Sequence, residues 1–311
     1  MKEATMRALK PEFLADLKEG VLAPLTEMVK SDTSLCLELR GNYINIYYRG
    51  GSLMKVKSSR PAGTYSVSFD KNYFRYGESI RLPQRNIGSS RDVEAWLHAS
   101  PRLKQGMDQH FAKRKKDERE FQQLVLRDNN FGSIAESTDY YICDIEYRSR
   151  FGQFDMIAVA WPSTPQDRRR ANDRRLTFVE VKHGDKALTK GAGLHAHIRD
   201  INNYAGEVEN LQKIKEDMVA VFNQKWDLNL VKCKKKLSSF SDERPCLLLA
   251  LVNHDPESKI LARELETLPG SPHVEVCIAT ASFLGYGLYT QGVHSLDEAR
   301  RRFGKYINCE R

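Results

Sequence analysis

The sequence predicts an α/β protein: a mixed central sheet flanked by helices, preceded by an N-terminal region of helix plus antiparallel β-meander. Three observations carry that prediction. Between Leu35 and Phe69 apolar residues alternate at period two, with glycine turns between the runs. From Gln109 onward the pattern reads helix, three strands, helix, strand, helix, strand. The run FDMIAVAW from Phe154 is apolar on both faces, as in a strand covered from both sides.

The elements follow in order. Residues 11–30 place Phe13, Leu14, Leu17, Leu22, Leu25, Met28 and Val29 at helical spacing, interrupted at Gly20 and Pro24. Residues 35–39 form a first strand, and Gly41-Asn42 a turn. Strands at 43–48, 53–57 and 65–69 complete the meander, with Gly50-Gly51 as a second turn. Residues 91–106 read as helix. Residues 109–129 read as a stronger one, with Phe111, Phe121, Leu124 and Val125 on one face. Further strands are expected at 140–147, 154–161, 176–182, 246–253 and 274–279. A long helix is expected at 195–225, with the stripe Ile198, Ile201, Ala205, Val208, Leu211, Ile214, Met218 and Phe222, and a short one at 257–267. The expected division is an α+β region of unassigned role over 1–105 and a second domain over 106–311.

Composition narrows the function classes. The 311 residues are 41% hydrophobic and 29% charged, enough apolar material for a sizeable core. The longest purely apolar run, from Cys246 to Val252, is far short of the roughly 18 residues that span a bilayer. The first twenty residues scatter charges without an apolar run, which argues against a signal peptide. Lys plus Arg number 49 against 41 Asp plus Glu, a net charge of +8. That balance favours an anionic partner, nucleic acid first and a membrane surface second. Six cysteines without a CxxC pair point to reduced thiols in a cytoplasmic protein. Three basic runs stand out: KRKK at 113–116, expected at the start of the strong helix, DRRRANDRR at 167–175, and KCKKK at 232–236.

Asp155 is a carboxylate inside an apolar strand, costly to bury unless paired, hydrogen-bonded or bound to a cation. It either caps a turn after Gly152 or serves as a ligand. In LTFVEVK, Glu180 and Lys182 are two apart and project from one strand face, as a plain salt bridge or as a functional pair. Neighbouring strands put Asp155 and Glu180 within reach of one hard cation. Magnesium takes oxygen ligands: one or two carboxylates, waters, substrate phosphate, and here a backbone carbonyl such as that of Val181. Lys182 would then stand beside the attacking water. Glu120, at the edge of the apolar face of the 109–129 helix, is either an exposed helix residue or a further carboxylate, with Glu118 as the alternative.

Helix with Glu120, strand with Asp155, strand with Glu180-x-Lys182, then helix and strand resembles the PD-(D/E)xK nuclease superfamily, the restriction-endonuclease-like fold, over residues 108–281. The resemblance implies Asp155 and Glu180 as metal ligands, Glu120 as an accessory ligand, and Lys182 as the water-activating or charge-stabilising group. It also implies magnesium, with manganese as a substitute. Two positions depart from the family pattern: Phe154 stands where proline commonly precedes the aspartate, and Tyr204 lacks its usual glutamine partner. His183, His197 and Tyr204 are accessory candidates. Arg168, Arg169, Arg170, Arg174, Arg175, Lys186 and Lys190 are candidates for the phosphate backbone.

The expected activity is magnesium-dependent phosphodiester hydrolysis, as an endonuclease on DNA. The alternatives are an inactive nucleic-acid-binding module of the same fold, or an interaction protein using the tyrosine-rich meander to bind a protein partner or a second copy. No membrane partner is expected.

Overall fold

The computed structural model describes residues 6–189, 193–255, 257–281 and 285–305. The chain forms two compact units, Thr5–Gln123 with Ala220–Val231, and Leu124–Val219 with Lys232–Arg311.

The first unit opens with helices α1 (Pro11–Lys18) and α2 (Ala23–Ser31). Proline at the start of each supplies a helical φ where no N–H is needed. Five strands follow: β1 (Leu35–Leu39), β2 (Tyr43–Tyr48), β3 (Gly51–Ser58), β4 (Tyr65–Ser68) and β5 (Asn86–Ile87). They pair antiparallel in sequence order, as the alternation predicts. Every residue of β1 is buried, including Glu38. Its carboxylate is held by Lys225 Nζ at 2.7 Å, and Arg40 lies 3.8 Å away. That pair shows why residues 220–231, distant in sequence, belong to this unit.

Helix α3 (Ser90–Lys113) starts on a capping box between Ser89 and Asp92. Two glycines let it lie close to the rest of the unit. A Cβ on Gly51 would sit 2.7 Å from the Phe111 ring, and one on Gly106 would sit 2.7 Å from the Phe74 ring. Helix α4 (Asp117–Asn130) follows. The expected helix over 109–129 is therefore divided, and KRKK lies at the break, not at a helix start. The dipoles explain the division: cations gather at the C-terminus of α3, and Asp117, Glu118 and Glu120 occupy the first turn of α4. The first unit extends beyond residue 105 because α3 and the start of α4 pack with the sheet.

The second unit is built on a six-stranded sheet. Its elements are β6 (Tyr140–Arg148), β7 (Gln153–Ala160), the short α5 (Pro165–Arg168), β8 (Arg175–His183), α6 (Leu194–Ala205), α7 (Val208–Asp227), β9 (Cys246–Val252), α8 (Lys259–Thr267), β10 (Glu275–Ala281), β11 (Val293–Ser295) and α9 (Leu296–Gly304). The strand order is β11-β10-β9-β8-β7-β6. β6, β7 and β8 form an antiparallel meander; β9 and β10 run parallel to β8, and β11 closes the edge antiparallel. Central β9 is buried at all seven positions, which accounts for its unbroken apolar run. The expected helix over 195–225 is two helices. The break falls at Gly206 and Glu207, where the Asn210 amide donates to Tyr204 O at 3.2 Å and to Glu207 Oε2 at 2.8 Å. The chain passes from one unit to the other inside α4, inside α7 and again after Val231.

Among the described residues, no helix is long and apolar enough to cross a membrane. Cys36, Cys143, Cys233, Cys246 and Cys277 form no disulfide.

Candidate active site

The β7–β8 ladder pairs Met156 with Val179, so one further step sets Asp155 opposite Glu180. The two carboxylates are braced reciprocally. Asp155 N donates to Glu180 Oε1 at 3.3 Å, and Val181 N donates to Asp155 Oδ2 at 3.0 Å. Val181 thus joins the site through its N–H, whereas the sequence pointed to its carbonyl. Glu180 is completely buried and Lys182 is 4% exposed, both on one face of β8. Burial, and then the Asp155 charge, push the Glu180 carboxyl well above its usual range; Lys182 partly opposes them. From the first turns of α6, His197 Nδ1 comes within 3.0 Å of Glu180 Oε2. The approach is a close contact and not a hydrogen bond, because the buried Oε2 has no hydrogen-bond partner among the described residues.

A buried carboxylate oxygen without a donor, beside a second carboxylate, suits a hard divalent cation. Among the described residues, no group of three or more His, Cys, Asp or Glu side chains is arranged to hold a metal alone. A cation there would rest on Asp155 and Glu180, completed by backbone, water and substrate oxygens, which is ordinary for magnesium.

Glu120 is paired within its own unit. It belongs to the first unit, where both its oxygens bond the Arg49 guanidinium at 3.0 and 3.3 Å. Arg49 also holds Asp108 at 2.9 Å. Tyr204 is a core residue. Its ring packs on Phe154 at 5.0 Å and its hydroxyl donates to Asn210 O at 3.2 Å. His183 ends β8 half-buried, and Lys186 is exposed in the loop beyond it, at the same end of the strand as Glu180. Lys190 lies outside the described residues.

The arginine-rich loop is at the other end of β8. Arg175 opens the strand and Glu180 is five residues on, a separation of about 16 Å at the usual rise. Three of its arginines are committed to the fold. Arg168 bonds Thr138 O and lies over the Tyr141 ring; Arg174 pairs with Asp167 at 3.3 Å; Arg175 pairs with Glu275 at 2.6 Å. Arg169 and Arg170 are exposed, and Lys235 Nζ donates to Arg169 O at 2.8 Å, so the 167–175 and 232–236 runs meet.

One candidate escaped the sequence reading. β6 pairs Ile145 with Met156 and Tyr147 with Phe154, so Glu146 stands opposite Asp155 in the register, at a left-handed φ of 52°. The signal was present as an acid in the strand preceding Asp155. It could not be used without the register, which shifts between Ile142 and Asp144.

Comparison with family models, with curated proteins and with solved structures gives no significant match.

Proposed function

We propose that the second unit is a metal-dependent nuclease with a restriction-endonuclease-like core. The observation that carries this reading is the reciprocal bracing of Asp155 and Glu180, with the Oε2 atom of Glu180 buried and without a donor, and Lys182 on the same strand face. The element order supports it: α4, an antiparallel β6-β7-β8 meander, a helical crossover through α6 and α7, and β9 parallel to β8.

Asp155 and Glu180 would hold the cation, which when bound polarises the scissile phosphate and lowers the pKa of a water. The chain's own part is positional. The Val181 N–H fixes the Asp155 carboxylate, and the Asp155 N–H fixes that of Glu180. Lys182 presents a nearly desolvated positive charge, strong in that setting, where negative charge builds on phosphorus oxygens. His197 orients Glu180 from the helix side. DNA is the proposed substrate, with cutting inside the strand. A non-catalytic nucleic-acid-binding module is the second reading, favoured by the commitment of Glu120 to Arg49.

The test is nicking of supercoiled plasmid in magnesium, manganese or EDTA, comparing the native chain with Asp155→Ala. Metal-dependent nicking lost in the variant is expected. No cutting in either metal, with salt-sensitive DNA binding intact, would favour the binding module.

A further inference from the structure

The positive charge is segregated. The first unit holds 22 Lys and Arg against 15 Asp and Glu; the rest of the chain holds 27 against 26. Of the net +8, the first unit therefore carries +7, although the carboxylate site belongs to the second. A partner drawn by charge is drawn to the first unit.

Within that unit the charge has a focus. Lys113, Arg114, Lys115 and Lys116 are consecutive and all exposed at the break between α3 and α4. Beside them stands Tyr76, one of the few large apolar side chains exposed among the described residues, at 38%. Arg114 Nε donates to its hydroxyl at 3.0 Å, and the Arg75 guanidinium lies 5.7 Å from its ring centroid. The ring is held on a firm base. His110 of α3 packs on it at 5.6 Å, and the preceding turn is anchored by buried Tyr73 and Phe74, with Phe74 seated against Gly106. None of Arg75, Lys113, Arg114, Lys115 and Lys116 has a carboxylate partner among the described residues; Asp70 and Glu78 are the acids nearest Tyr76 in sequence.

We infer that Tyr76, Arg75 and the Lys113–Lys116 run form a binding site for single-stranded nucleic acid, in which the run meets phosphates and the tyrosine ring stacks on an unpaired base. An exposed ring framed by guanidinium groups beside a row of cations without carboxylate partners has the two parts such binding needs: a stacking platform and an electrostatic track. A membrane surface fits less well. It would need an apolar face to insert, and the large exposed hydrophobics described in this unit are Met6 and Tyr76. The inference stands apart from the nuclease reading, because it concerns the other unit and needs no metal.

The test uses the full chain in EDTA, so that no cleavage enters, with a fluorescein-labelled oligothymidine of about 20 nucleotides, long enough for one site. Anisotropy titrations are run between about 50 and 200 mM salt. Replacing Lys113, Arg114, Lys115 and Lys116 together by alanine should flatten the log–log salt slope by about 3, at roughly 0.7 per lost phosphate contact. Tyr76→Ala should weaken binding about tenfold with the slope unchanged, and Tyr76→Phe, which keeps the ring, should stay within about twofold. These positions are on the surface, and unchanged thermal unfolding shows that the variants are folded. The inference is overturned if the fourfold variant keeps its slope, or if Tyr76→Ala binds as the native chain does. It is also overturned if Tyr76→Phe loses as much as Tyr76→Ala. Phosphatidylserine vesicles serve as the control: loss of vesicle binding with oligonucleotide binding intact would assign the patch to a lipid surface instead.

Discussion

Replacing Lys225 by methionine should be the most damaging single change outside the apolar core of the first unit. Its ammonium is 1% exposed and lies 2.7 Å from the Oε1 atom of Glu38, itself completely buried on β1. Methionine fills nearly the same volume but leaves the carboxylate without its main counter-charge. Breaking a buried pair in this way costs about 3–5 kcal/mol. Arg40, 3.8 Å from the other Glu38 oxygen, retains part of the compensation and places the expected cost near the lower limit, about 3 kcal/mol. That is roughly a hundredfold in the folded-to-unfolded ratio. Followed by fluorescence in urea, the midpoint should fall by about 1–2 M at an ordinary denaturant slope. Adding Glu38→Gln to Lys225→Met should recover most of the loss, because the orphaned charge is then gone. A loss below about 1 kcal/mol would refute the reasoning, since that is how a solvated surface pair behaves.

Three further outcomes are expected. Lys182→Ala should lower metal-dependent nicking by about a hundredfold or more while oligonucleotide affinity stays within about threefold; equal loss of both would remove Lys182 from the chemistry. The Glu180 carboxyl is raised above its unfolded value of 4.5, so the folded chain binds the extra proton, and metal-free stability should fall as pH rises from that value toward the raised one. Urea midpoints across that window should decline less in Glu180→Gln, and identical pH profiles would contradict the assignment. Glu120→Gln should leave nicking within about threefold and cost at most about 1 kcal/mol, because its bond to Arg49 is one-third exposed. A collapse of nicking would restore Glu120 as a ligand.

Periodicity made the local architecture legible. The meander of the first unit, the three antiparallel strands leading to Glu180 and the parallel strand after α7 all follow from alternation and apolar runs, because a strand's two faces meet different surroundings. The pairing of Asp155 with Glu180 was likewise readable, since adjacent strands in a meander bring residues at matched distances from the turn into register. Breaks in helices were less so. KRKK marks a boundary only once its charge is set against the dipoles of both flanking helices, and the break at Gly206 depends on Asn210 reaching back to Tyr204. Which end of a strand a loop occupies decided the most. The arginine-rich loop precedes β8 and so opens at the end remote from Glu180, while residues next to Glu180 in space come from α6. Charge counted over the whole sequence also concealed that the excess lies in the first unit.

The split makeup of that unit reaches back to its synthesis. Glu38 leaves the ribosome 187 residues ahead of the lysine that neutralises it. At bacterial or eukaryotic elongation speeds of about 5–20 residues per second, that interval is roughly 10–40 s. During it the nascent meander carries a carboxylate destined for its interior with Arg40 as the nearest cation, and the sheet cannot close around it at little cost. β1 is therefore translated well before the segment that completes its unit. That unit's residues are discontinuous in the sequence, so a fragment ending before residue 220 lacks the lysine that neutralises Glu38.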